Sequence, residues 1–78
     1  MILAGPKQVK MARYALGWTV RELAEKAGVQ PGTISRIENG HSAFIGTVEK
    51  ITKTLQEGGA IFIDDEKKCG VLIYKDSF

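Results

Sequence analysis

The sequence's 78 residues leave room for one small domain, whose core supplies only about 3 to 5 kcal/mol unless a disulfide, a metal or a second copy reinforces it. Cys69 is the single cysteine, which excludes an intramolecular disulfide and any zinc or Cys-x-x-Cys spacing, and suits a reducing, cytoplasmic setting. The net charge of +2 is unevenly spread, with eight Lys/Arg against five Asp/Glu through Glu57 and three against four from Gly58 onward, so the first part is the one suited to a polyanion.

No apolar run exceeds four residues, and Met1-Ile2-Leu3-Ala4 is too short for a signal-peptide core. A soluble, unexported protein without a membrane partner is expected. In chain order, Gly5-Pro6 opens a first helix and Gly17 closes it, with Val9, Ala12, Arg13 and Leu16 on one face. Thr19 caps a second helix and Glu22, three residues on, completes a capping box, while Trp18 and Leu23 form a hydrophobic staple. Gly28 ends that helix, because glycine enters the left-handed region without steric cost, and Val29 turns back onto the core.

A third helix follows at once, capped by Gln30 or Thr33, entered through Pro31, carrying Ile34 and Ile37 inward and stopped by Asn39-Gly40. A fourth runs from Phe44 or Thr47 to Glu57 with Val48, Ile51 and Leu55 on one face. Beyond Gly58-Gly59, the runs 60–63 and 71–74 read as an antiparallel hairpin joined by a long polar loop over 64–70. Its strands do not alternate apolar with polar: Ile61 and Ile63 oppose Phe62, and Val71 and Ile73 oppose Leu72 and Tyr74. Both faces are therefore apolar, and one needs a cover. Ile61, Phe62, Ile63, Val71, Leu72, Ile73 and Tyr74 are accordingly assigned to a homodimer interface, with Phe44 and Ile45 beside them.

Two short helices joined by a glycine corner form a helix-turn-helix pattern, in which the second helix protrudes far enough to enter a DNA major groove. Through LGWTVRELAEKAGV, TISRIENG and TVEKITKTL the sequence resembles the Cro/lambda-repressor type, or Xre, helix-turn-helix family, and GGAIFIDDEKKCGVLIYKD is similar to the extended tail that replaces a fifth helix in short members. The resemblance implies a mainly α fold, four helices followed by a C-terminal β-hairpin, within one domain: residues 1–59 for DNA binding and 60–78 for dimerisation.

It also implies roles. Gln30, Gly32, Thr33, Ser35 and Arg36 occupy base-reading positions, and Arg36 has the guanidinium fork that fits guanine O6 and N7. Thr19, Arg21, Asn39, Gly40, His41 and Ser42 occupy phosphate-contacting positions. Arg13 corresponds to an arginine that pairs with the glutamate before the stop, here Glu38. Relatives commonly place Gln after the cap, where this chain has Val20, which can touch a thymine methyl but cannot donate a hydrogen bond.

No cofactor and no metal site is expected. His41 has no second ligand nearby, Asp64-Asp65-Glu66 lacks the glycine spacing of a calcium loop, Cys69 has no histidine close in sequence, and no nucleophile–base pair suggests an enzyme. The sequence therefore points to a transcriptional regulator binding palindromic double-stranded DNA as a homodimer. The alternative is a protein-interaction module, an antitoxin or antiactivator, whose tail captures a protein partner.

Overall fold

The computed structural model describes residues 3–77. Four helices, α1 (Pro6–Leu16), α2 (Val20–Ala27), α3 (Pro31–Glu38) and α4 (Ile45–Glu57), precede a hairpin of β1 (Ala60–Asp64) and β2 (Cys69–Ile73), and a 3₁₀ turn at Lys75–Ser77 follows. Each helix contributes an apolar stripe to one core: Val9, Ala12 and Leu16 from α1, Leu23 and Ala24 from α2, Ile34 and Ile37 from α3, Ile51 and Leu55 from α4. Among the described residues no helix is long and apolar enough to cross a membrane.

The caps explain why helices this short hold their ends. At Thr19 both halves of the capping box form: Glu22 N–H donates to Thr19 Oγ1 at 3.0 Å, and Thr19 N–H donates to Glu22 Oε1 at 3.0 Å. At the other end of α2, Gly28 takes φ 73°, and Val29 N–H reaches back to the Ala24 carbonyl at 3.0 Å, so the corner into α3 closes on hydrogen-bonded backbone. Gln30 rather than Thr33 caps α3, and its side chain makes no capping bond. α4 starts at Ile45 with Phe44 as its cap.

Arg13 and Glu38 tie α1 to the end of α3. Arg13 Nε donates to Glu38 Oε2 at 2.8 Å and Nη2 to Oε1 at 2.9 Å, a bidentate fork, while Nη1 donates to the Trp18 carbonyl at 3.1 Å. The two side chains are only 9% and 7% exposed. The hydrogen bond to Glu38 pushes the guanidinium pKa up, against the burial that lowers it.

The hairpin is tied down by a residue that the apolar pattern passes over. Gln8 is 2% exposed: its Nε2 donates to the Ile63 carbonyl at 2.9 Å and to the Gly70 carbonyl at 3.2 Å, and its Oε1 accepts from Gly5 N–H at 3.0 Å. One amide thus closes the first turn of α1 and holds both strands. The chain enters β1 through Gly58 and Gly59. A Cβ at Gly58 falls 2.4 Å from Trp18 Cη2, and Gly59 takes φ 117°, so the first glycine is set by space and the second by backbone conformation.

The long loop expected over 64–70 is in fact four residues, 65–68. Asp64 and Cys69 pair as the last rung of the ladder, and Asp65 Oδ1 accepts from both Lys67 and Lys68 N–H, at 2.8 and 2.9 Å. An aspartate that folds the backbone onto its own side chain makes a tight turn out of a run that reads as merely polar. Register pairs Phe62 with Val71 and Ala60 with Ile73 on one face, and Ile61 with Leu72 on the other. Phe62 is 8% exposed and Val71 and Ile73 pack against the core, so these three of the seven assigned interface residues face the chain's own helices.

Replacing Arg13 with Met, or Glu38 with Leu, strands a buried charge and is expected to lower stability by about 3 to 5 kcal/mol, enough to unfold most of a domain of this size. The double variant, apolar on both sides, should recover most of that loss in urea denaturation. Additive losses in the double variant would show that the two residues are not coupled.

Candidate nucleic-acid interface

α3 shows how a helix of eight residues divides between core and solvent. Ile34 (0% exposed) and Ile37 (4%) fill the inward stripe, which turns Gly32, Ser35 and Arg36 outward and leaves Thr33 half-buried. Gln30 stands exposed at the helix start. Gly32 has nothing within 4 Å of where a Cβ would sit, so the backbone there is bare and open to close approach. Gly32, Ser35 and Arg36 are thus the exposed members of this set on α3, with Gln30 exposed at its cap and Thr33 half-buried at the edge. Arg36 makes no ion pair among the described residues, in contrast to Arg13.

Beyond α3 the chain turns through Gly40, at φ 88°, with His41 N–H bonded to the Arg36 carbonyl at 2.9 Å. This keeps the exposed residues Asn39, Gly40, His41 and Ser42 beside the end of α3. At the start of α2, Thr19 and Arg21 are exposed as well. Thr19 is already engaged: its N–H donates to the Glu22 carboxylate and its hydroxyl oxygen accepts from Glu22 N–H. Those bonds hold the Glu22 carboxyl below its ordinary range, first through the Thr19 backbone and then through its side chain. Val20 is half-buried and packs on the core.

A groove of about 450 Å³ opens between α3 and the start of α4, lined by Val29, Thr33, Arg36, Ile37, Ser42, Ala43, Phe44 and Thr47. Phe44 is 86% exposed and Ile45 68%. The sequence placed Phe44 beside the hairpin; in the fold it lines this groove with two of the expected base readers, and no hairpin residue joins it.

Among the described residues no three His, Cys, Asp or Glu side chains come together as a metal site would require. Cys69 is exposed. What the arrangement offers is an exposed helix face with a bare N-terminal turn, two guanidiniums, Arg21 and Arg36, without an ion pair among the described residues, and a flanking loop of hydrogen-bond donors, a set of groups suited to duplex recognition.

A family model described as helix-turn-helix matches residues 9–60. No curated protein matches the chain. The matched span begins in α1 and ends at the first residue of β1, so it contains α2, α3 and α4 whole and leaves nearly all of the hairpin outside. Members of this family are DNA-binding regulators and generally not enzymes. The chain belongs to the helix-turn-helix family of the Cro/C1, or Xre, type.

Proposed function

We propose that the protein is a sequence-specific transcriptional regulator that binds a palindromic operator as a homodimer. The observation that carries the reading is the outward row of α3, backed on its inner side by Ile34 and Ile37 and presented with Arg36 unpaired. Base edges are read from that row, Arg36 on guanine and Gln30, Thr33 and Ser35 by hydrogen bonds, with the Gly32 backbone close to the groove floor. Thr19, Arg21 and the loop 39–42 lie where they hold the duplex in register by its phosphates. Regulation then follows from occupancy, since a bound dimer blocks or recruits polymerase according to where the operator lies.

The second copy covers the outer hairpin face. Ile61 (39% exposed), Ile63 (40%), Leu72 (55%) and Tyr74 (59%) form a row of apolar side chains on a two-stranded sheet, an element that is marginal by itself in water. An isologous contact buries this face twice with one set of residues, and sets two α3 helices about a two-fold axis. The same exposed face favours the second reading, capture of another protein by the tail.

Two measurements follow. Selection from a random duplex library should enrich an inverted repeat with half-site centres about 34 Å, or a multiple of that, apart. On the selected duplex, Arg36→Ala should lower affinity by about 1 to 3 kcal/mol and relax one base pair, while Arg21→Ala should weaken all duplexes alike and reduce the salt slope by about one. Equal loss on selected and random duplexes would remove Arg36 from the readers. For the dimer, Leu72→Glu changes an exposed residue and should leave helicity intact while converting a sedimenting dimer to monomer. An unchanged dimer would place the interface elsewhere, and a wild-type monomer that gains mass only with a second protein would favour the capture reading.

A further inference from the structure

The reading face is sparse in polar groups. Pro31 and Gly32 bring no side-chain donor or acceptor to the start of α3, and Val20 packs on the core. Next to it, the structure exposes the largest apolar surface of any single residue on this side of the protein, the Phe44 ring at 86%. That ring lines a groove together with Val29, Thr33, Arg36, Ile37 and Ala43.

The groove's surroundings select the occupant. No carboxylate lines it, and its one charged lining residue is Arg36, which has no ion-pair partner among the described residues. A polyanion is therefore drawn to this mouth, and because Phe44 and Arg36 line the same groove, a base read by Arg36 would have its neighbour within reach of Phe44. Of the chemical groups displayed in a major groove, only the thymine C5-methyl is apolar, and side chains such as Phe and the Thr methyl are suited to it.

We propose that Phe44 is a specificity-determining residue that, with Thr33 and the groove behind them, reads a thymine methyl next to the base pair contacted by Arg36. The proposal rests on the DNA-binding reading above and deepens it: an apolar reader supplies discrimination that the thin polar row of α3 does not. Its position at the cap of α4 is fixed by the α4 backbone, with Thr47 and Val48 N–H bonded to the Phe44 carbonyl at 3.0 and 3.1 Å, so the ring is offered from a rigid base.

The test removes the methyl alone. On the duplex that the library selects, each thymine is replaced in turn by deoxyuridine, and affinities are measured for the wild-type chain, Phe44→Leu and Phe44→Ala, each first checked for unchanged helicity and melting. One position per half-site should lose about fourfold for the wild type, the worth of burying one methyl-sized group. The same replacement should leave the affinity of Phe44→Ala unchanged, and that of Phe44→Leu should fall by an intermediate factor.

Deoxyuridine losses of equal size in wild type and Phe44→Ala overturn the proposal, because the methyl is then read by another residue. A Phe44→Ala loss spread evenly over selected and random duplexes overturns it too, making the ring a backbone contact. No loss at all in Phe44→Ala means that the groove faces something other than DNA, a protein partner among them. If the wild-type chain selects no duplex, the DNA-binding reading itself fails and takes this inference with it. A selected duplex without the methyl coupling fails the inference alone.

Discussion

Everything on the reading side depends on the buried fork between Arg13 and Glu38. α3 is only eight residues long, too short to persist by its own hydrogen bonds, and its inward stripe is two isoleucines wide. The fork adds two charge-assisted bonds at its C-terminal end, and the third guanidinium bond, to the Trp18 carbonyl, fixes the linker that leads into α2. One arginine thus joins α1, the start of α2 and the end of α3. Buried ion pairs contribute little net stability over a well-packed apolar pair, and the value of this one lies in geometry: it sets where α3 ends and hence where the loop 39–44 begins.

A second fixed point, Gln8, does the same for the hairpin. Its amide bonds to both strands, while Gly58 packs under Trp18 and Gly59 turns the chain into β1. Trp18 is thereby shared: it follows Gly17, packs against the core, receives Arg13 on its carbonyl and Lys26 Nζ over its ring at 4.9 Å, and blocks any side chain at Gly58. α3 and the hairpin are both referenced to α1, so the dimer proposed above would hold its two α3 helices at a defined separation instead of on flexible tethers. This rigidity is what a two-fold reader of a fixed half-site spacing requires.

The local signals were the legible part of the sequence. Thr19 with Glu22, and Gly28 followed by Val29, specify caps whose chemistry lies within a few residues, so the helix-turn-helix and the outward row of α3 followed from the chain alone. Four features were not legible, because contacts that exist only in the folded chain decide them. Nothing local marks Gln8, because the two carbonyls it holds, of Ile63 and Gly70, lie more than fifty positions away. The run from Asp64 to Gly70 reads as a long loop because its residues are polar, yet Asp64 and Cys69 are exposed strand residues and Asp65 tightens the turn. An apolar strand with two similar faces does not reveal which face turns inward; packing against α1 and α4 decides it, seating Phe62, Val71 and Ile73 and leaving Ile61, Ile63, Leu72 and Tyr74 outside. Phe44 belongs with these, since only the folded corner between α3 and α4 puts it beside Arg36.

The most direct test of the central claim, that one face built on α3 meets DNA, is residue-resolved. In ¹⁵N-labelled protein, amide shifts followed during titration with the selected duplex should move at Thr19 to Arg21, at Gln30 to Arg36 and at Asn39 to Phe44, and a scrambled duplex should move them less. Shifts gathered instead along Ile61, Ile63, Leu72 and Tyr74, with the α3 row unmoved, would contradict the account.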